Sequence, residues 1–368
     1  MKGITFKILL IALIIAVVGI FAIYSNTYQK EGRLWETIYQ RQIFWVLAGV
    51  CFFFIMYNVS YRRLWDLSYL LYGLAVFLLF LVAVLGHVSL GAQRWLRFAW
   101  FNFQPSELAK LGIIILLAKY FSAKSVDDVA VRSGKLGLLR GLVIPFLLVA
   151  IPMGLIIEQP DLGSGIIVFL IFFVMLYLGK IKMRYVLVLF LLIVAVTPLF
   201  WNLLRGYQKD RLLVFLNPNL DPLGAGYTII QSKIAIGSAG LLGKGWLSGT
   251  QNQLYFLPES HTDFIFAAFV EEQGLLGGIG LILLYYLLIR QGIYIAERTQ
   301  DEFGKLLALG ITFFLSMQIF VNIAMNLGLA PVVGLPLPLM SYGGSSVLIT
   351  FISLGILANI NKTRAVFG

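Results

Sequence analysis

Charge is scarce in this chain. Only 12% of its 368 residues are Asp, Glu, Lys or Arg, while 60% are hydrophobic. A soluble domain carries about a quarter charged residues. So thin a polar coat does not cover a soluble surface, and a bilayer is the solvent that fits the composition. Cysteine is almost absent as well. Cys51 is the single one, which excludes an intrachain disulfide and a thiolate metal cluster. With His87 and His261 as the two histidines, a histidine-built metal site is not expected either. Acidic residues are outnumbered by basic ones, 17 to 28. In a soluble protein that excess would suggest nucleic acid. Here the Lys and Arg fall between apolar runs, so they report membrane topology or an anionic headgroup, and no nucleic-acid partner is expected.

What the sequence does have is long apolar runs. They lie at about 6–24, 43–59, 64–86, 105–121, 138–157, 163–179, 185–204, 263–289, 306–328 and 344–360. The expectation is an all-α integral membrane protein with about ten transmembrane helices, forming one polytopic domain over 1–368. The first run follows Lys2 and Lys7 and has no small-residue cleavage site after it, so it reads as an uncleaved span. With the N-terminus inside, the inner segments collect Arg62 and Arg63; Lys124, Arg132, Lys135 and Arg140; Lys180, Lys182 and Arg184; Arg298 and Lys305; and Lys362 and Arg364. Both termini are then cytoplasmic. The segment at about 205–262, between spans seven and eight, becomes a large extracytoplasmic loop. Inside it, 227–236 has helical apolar spacing and reads as an amphipathic helix on the membrane surface. The glycine-rich stretch 237–245 is a near miss for a phosphate-binding loop. Its spacing is wrong and Gly245 stands where Ser or Thr is required, so nucleotide binding is rejected.

Charged groups at membrane depth are costly and tend to be functional. Asp263, at the outer mouth of span eight, reads either as a helix-start acid or as a general base facing the outer leaflet. Glu107 and Lys110 share a helix face at i, i+3. They form either an internal ion pair or a site in which Lys110 meets a substrate phosphate and Glu107 orients it. Asp161 lies in a turn between spans five and six, where capping is the bland reading. Arg94 is an interfacial anchor beside Trp95 or a contact for an anionic headgroup. Glu271 and Glu272 read as buried acids fixing helix packing. The stretch 331–346, with three prolines and three glycines, cannot be a regular helix. It reads as a re-entrant or cavity-lining loop offering Ser341 and Ser345.

These residues sit in recognisable motifs. Gly91-Ala-Gln-Arg-Trp95, Gln104-Pro-Ser-Glu-Leu-Ala-Lys110, Gln159-Pro-Asp161-Leu-Gly, Asp221-Pro-Leu-Gly-Ala-Gly226, Leu257-Pro-Glu-Ser-His-Thr-Asp263, Glu271-Glu-Gln-Gly274 and Pro338-Leu-Met-Ser-Tyr-Gly-Gly344 occur in order along nearly the whole chain. Together they resemble the SEDS family (shape, elongation, division and sporulation), and the loop 216–263 is most similar to the elongation member. The resemblance implies a peptidoglycan glycosyltransferase of the bacterial cytoplasmic membrane. Its substrate would be lipid II, a disaccharide-pentapeptide on undecaprenyl pyrophosphate. Its partner would be a class B penicillin-binding protein, a transpeptidase. The family's essential aspartate falls on Asp263, and its Gln-Pro-Ser-Glu-x-x-Lys and Gln-Pro-Asp residues fall on Glu107, Lys110 and Asp161. On that footing Asp263 is the base, while Lys110, Arg94 and Lys233 neutralise the leaving pyrophosphate and Ser341 contacts substrate. No cofactor is required, and a divalent cation could share the work. The runner-up is a lipid II flippase, kept open by Glu271 and Glu272.

Overall fold

The computed structural model describes residues 2–28, 37–89, 92–98, 101–123, 139–196, 206–224 and 226–364. Lys124, Arg132 and Lys135, used above to orient the chain, lie outside the described residues, as do the side chains of Arg140 and Arg364.

A helix occurs at each of the ten apolar runs. They are α1 (Lys2–Thr27), α2 (Ile38–Asn58), α3 (Arg62–Leu85), α4 (Pro105–Ser122), α5 (Ile144–Glu158), α6 (Leu162–Leu178) and α7 (Met183–Val196). Then come two short helices in the long loop, α8 (Gly206–Leu216) and α9 (Tyr227–Gly237), and a single turn, α10 (Thr250–Gln253). The chain closes with α11 (Ile265–Glu297), α12 (Glu302–Asn326) and α13 (Gly344–Arg364). Among the described residues, seven helices are long and apolar enough to cross a membrane, and α6 and α7 are shorter apolar helices. α4 carries Glu107, Lys110 and Lys119 in its 18 residues, yet most of them are buried. It is a core helix, packed against α3, α6 and α12.

The all-α expectation misses one feature. After α3 the chain forms a small antiparallel sheet, β1 (His87–Ser89), β2 (Ala92–Phe98) and β3 (Phe101–Phe103), in that order. His87 pairs with Trp95 and Leu96 with Phe103. The segment is too short to span and too rich in aromatics to stay in water, so its backbone groups pair locally. Alternation along β2 sends neighbouring side chains to opposite faces. The Gln93 amide turns back to donate to the Gly86 carbonyl at 2.9 Å, while Arg94 reaches across to the α5–α6 turn.

Helix starts follow local chemistry. Gln104 precedes α4, with Pro105 in the first turn, where its missing N–H is not needed. Asp161 caps α6 by accepting from the Ser164 N–H at 3.1 Å, and Asp301 caps α12 by accepting from Gly304 at 2.8 Å. Asp263 is not a cap. α11 begins at Ile265, with Phe264 as its capping residue.

α11 is broken at Gly274, which has φ 73° and ψ −176°. The break frees the backbone groups on either side, and the glycine-rich loop after α9 takes them up. Lys244 and Gly245 donate to the Glu271 and Glu272 carbonyls, each at 3.0 Å. Leu275 and Leu276 donate to the Gly240 and Leu241 carbonyls at 3.0 and 3.2 Å. Gly243 and Gly274 both have positive φ, and a side chain on either would strike the other's backbone. The stretch once compared with a phosphate loop is thus a backbone splint. The helix at 227–236 is there, as α9, but it packs on α11 and α12 and buries Ile229, Ser232 and Ala235.

Between α12 and α13 the chain is non-helical, as its prolines require. Val333, Leu335, Leu337, Leu339 and Met340 are nevertheless buried, so this irregular backbone lies inside protein rather than against lipid.

Candidate active site

One end of the bundle gathers the candidate residues. Asp263 lies in the loop 257–264, and neighbouring elements hold that loop from several sides. Asn26 of α1 donates to the Ser260 carbonyl at 2.8 Å. Tyr342 donates its N–H to the His261 carbonyl at 2.9 Å, and the Ser341 hydroxyl donates to the Thr262 carbonyl at 2.6 Å. From α12, the Asn322 and Asn326 amides both donate to the Asp263 carbonyl at 3.0 Å. Asn322 also donates to Leu335 at 2.7 Å, and Asn326 accepts from the Ala267 N–H at 3.1 Å. The backbone of Asp263 is fixed while its side chain, half-buried, makes no protein hydrogen bond among those described. Burial pushes its carboxyl up to about 6. Glu259 adds to the rise, Arg211 and Arg94 oppose it, and Asp161 adds a smaller push.

Arg94 reaches this point from the sheet. Its guanidinium donates to the Pro160 carbonyl and pairs with Asp161 at 3.8 Å. Its Nε has no partner among the described residues. A methyl built on Gly334 would lie 3.6 Å from Arg94 Nη1 and 3.6 Å from Asp263 Oδ2, so the two side chains flank one glycine. The cation and the carboxylate share a mouth without joining.

Asp161 is fully engaged. It is 1% exposed and accepts from Gln104 Nε2 at 3.1 Å, Ser106 at 3.2 Å and the Ser164 N–H. It knots the start of α4 to the start of α6 and anchors Arg94. Glu107 and Lys110 form an internal ion pair of 2.7 Å, 1% and 0% exposed, with the ammonium 5.3 Å over the Phe314 ring. In this state Lys110 meets no open space. Ser341 is likewise spent: besides donating to Thr262 it accepts from the Leu337 N–H at 2.8 Å. Lys233 is exposed on α9 and lies against Gly328, away from the Gly334 mouth. Glu271 takes Lys244 at 2.6 Å and Thr250 at 3.0 Å, and the Ser25 hydroxyl donates to Glu272.

Three residues escaped the sequence reading. Asn322 and Asn326 were hidden because attention went to charge. The signal was there: two amides at i, i+4 in an apolar run share a helix face and must find partners. Gln318, one turn before Asn322, is fully buried, and its amide has no partner among the described residues. Among those residues no three His, Cys, Asp or Glu side chains gather around a metal position. The donors present fit a cation carried on a ligand's own phosphates better than a protein cage.

Comparison with known proteins gives this arrangement its family. Residues 5–365 match the FtsW/RodA/SpoVE family, described as cell cycle protein. The chain is 42% identical to peptidoglycan glycosyltransferase MrdB of Escherichia coli, over 97% of this chain and 93% of that one. It is 35% identical to probable peptidoglycan glycosyltransferase FtsW of Geobacter metallireducens, over 96% and 93%. Among solved structures it matches, at a TM-score of 0.81 and 33% identity over 98% of both chains, one described under the structural coordination of polymerization and crosslinking by a peptidoglycan synthase complex. It also matches the rod shape determining protein RodA of Thermus thermophilus, at 0.70 and 28% over 97% and 96%. The chain belongs to the FtsW/RodA/SpoVE family, and it is a multi-pass membrane protein. Its identity to this MrdB relative, 42%, exceeds its identity to this FtsW relative, 35%.

Proposed function

We propose that this protein is a peptidoglycan glycosyltransferase that polymerises lipid II on the outer face of the bacterial cytoplasmic membrane during cell elongation. The observation that carries the reading is Asp263: a carboxylate fixed through its backbone, with no side-chain hydrogen bond among the described residues, and facing Arg94 across Gly334. Ten spans with both termini inside put that mouth outside. The opposite end, with Lys119, Lys180, Arg298 and Lys362 resting on carbonyls, acids or aromatic rings, suits the cytoplasmic side.

The chemistry is a direct displacement. A sugar hydroxyl of one substrate attacks the anomeric carbon of another. The new C–O bond forms as the bond to the lipid pyrophosphate breaks, and the leaving group departs with the electron pair. Asp263 takes the hydroxyl proton as it is released. With a carboxyl near 6 it is ionised at neutral pH and still basic enough to accept a proton. Arg94 faces the charge growing on the pyrophosphate. An α-linked donor then gives a β-linked product with no covalent sugar–enzyme intermediate. A divalent cation arriving with the pyrophosphate would add further charge neutralisation there. Glu107–Lys110 and Asp161 act as positioning groups, setting α4 and α6 beneath Arg94, and Ser341 sets the Asp263 loop. A class B penicillin-binding protein is the proposed partner.

The test is polymerisation of purified lipid II by the reconstituted protein with its transpeptidase partner. Wild type should yield glycan chains, and folded Asp263→Ala should yield none. Equal polymer from both would remove Asp263 as base. Headgroup translocation without polymer would favour a flippase. That reading leaned on Glu271 and Glu272, whose carboxylates are occupied by Lys244, Thr250 and Ser25.

A further inference from the structure

α3 and α5 run side by side in the same direction and are tied at two levels. The Tyr72 hydroxyl donates to the Leu148 carbonyl at 2.8 Å, and Gln159 Nε2 donates to the Leu79 carbonyl at 2.7 Å. The seven residues from Tyr72 to Leu79 span about 10 Å of helix. Between the ties the helices part around a groove of about 660 Å³, open to the lipid and lined by Val76, Phe77, Phe80, Ile151 and Leu155. Gly73 and Gly154 complete its lining, and a Cβ on either would meet nothing within 4 Å. No close approach demands glycine at these positions. Glycine weakens a helix, so two of them lining one groove keep it open at the expense of the helices.

Gln159, which closes the upper end of the groove, is followed by Pro160, whose carbonyl accepts from Arg94. Arg94 Nε has no partner among the described residues, and Asp263 lies across Gly334. From membrane depth to the mouth the order is apolar groove, cation, carboxylate. A lipid-linked sugar carries its parts in the same order: chain, pyrophosphate, sugar.

We propose that the α3–α5 groove seats the isoprenoid chain of the lipid-linked substrate, with its pyrophosphate at Arg94 and its sugar at Asp263. The inference rests on the glycosyltransferase reading for the identity of the substrate. Hydrophobicity alone selects nothing here, because every phospholipid chain is equally apolar. Shape and charge select. A methyl-branched chain fills a wide groove with phenylalanine rims, where a straight acyl chain leaves contacts unmade. A pyrophosphate at the end of that chain also gains the Arg94 cation, a strong charge-assisted partner.

The test is equilibrium binding of radiolabelled undecaprenyl pyrophosphate to the full-length protein in phosphatidylglycerol–phosphatidylethanolamine nanodiscs. Wild type is compared with the double variant Gly73→Leu/Gly154→Leu, which fills the groove. Gly280→Leu, at another open glycine on α11, is the control. Leucine favours helix at each position, so folding is not at stake. The groove variant should bind about ten-fold more weakly, the control as wild type. Dimethylallyl pyrophosphate, whose five-carbon group is too short to reach Gly154 from Arg94, should bind all three alike. Unchanged affinity of the groove variant for the long chain would overturn the proposal and leave the groove to bulk phospholipid. Equal weakening for both chain lengths would also overturn it, since that places the defect at the headgroup. No step of the readout needs polymerisation, so loss of the glycosyltransferase reading would show separately, in the lipid II assay.

Discussion

The mouth of the bundle and its interior treat charge in opposite ways. In the interior, Glu107–Lys110 is a closed unit at 2.7 Å with almost no exposure, and at the break in α11 the buried Glu271 is met at 2.6 Å by the part-exposed Lys244. At the mouth, Asp263 is held by its carbonyl, and its carboxylate takes no hydrogen bond among the described residues. Arg94 spends two contacts and keeps Nε open. A satisfied buried pair fixes geometry, and opening it leaves a bare charge in a poor solvent. An unsatisfied group beside it stores reactivity at the expense of stability. The closed pairs are the frame, and the open groups are where a substrate can enter.

That contrast breaks most sharply at Asp263. Asp263→Asn should reduce lipid II polymerisation by about 10³-fold or more, the scale of a lost general base. The same variant should be more stable than wild type at neutral pH. The carboxyl rises from 3.8 to about 6, so ionising it is harder in the folded chain. Its contribution is most favourable below pH 4 and is lost as pH climbs through 6. The full shift corresponds to about 3 kcal/mol, an upper figure before solvent screening. Thermal unfolding in detergent at pH 7.5 reads the gain. A variant both inactive and less stable would make Asp263 part of the frame.

The interior pair should show the reverse. Glu107→Gln strands a buried lysine and should cost about 3–5 kcal/mol of stability. Adding Lys110→Met should restore most of it, which a two-variant comparison of unfolding midpoints would show. Arg94→Ala should lower turnover by about 10²-fold with a smaller change in stability, as expected for a group that meets developing charge. Polymerisation by wild type should rise with pH through about 6 and then level off, following the ionised fraction of Asp263. A flat profile from pH 5 to 8 would detach the base from Asp263. The smallest effect belongs to Ser106→Ala, which removes one of three hydrogen bonds to Asp161 and should cost about 1 kcal/mol.

Much of the frame was legible in the sequence because a bilayer leaves few choices. Apolar runs of spanning length had to be helices, and each of the ten marks one. The prolines of 331–346 announced irregular backbone in a buried place. What stayed hidden depended on contacts between distant segments. Nothing local says that the glycine-rich stretch 237–245 belongs in the break at Gly274, or that Asn322 would find the Asp263 carbonyl 59 residues away. Glu107 and Lys110 could be placed on one helix face, but whether that face met substrate or protein depended on Phe314 and the packing of α12. The sheet was missed because three- and seven-residue strands carry too little periodicity to register beside helices of twenty.

The splint at Gly274 has a mechanical consequence. The half of α11 from Ile265 to Gln273 is a short lever with Asp263 at its tip and its fulcrum at a glycine. Four backbone hydrogen bonds couple that fulcrum to the loop 240–245, so the lever cannot swing by itself. It must carry the loop along or expose bare peptide groups to hydrocarbon. A force applied to the loop is therefore transmitted to the acid, and whatever grips the loop 240–245 also grips the position of Asp263.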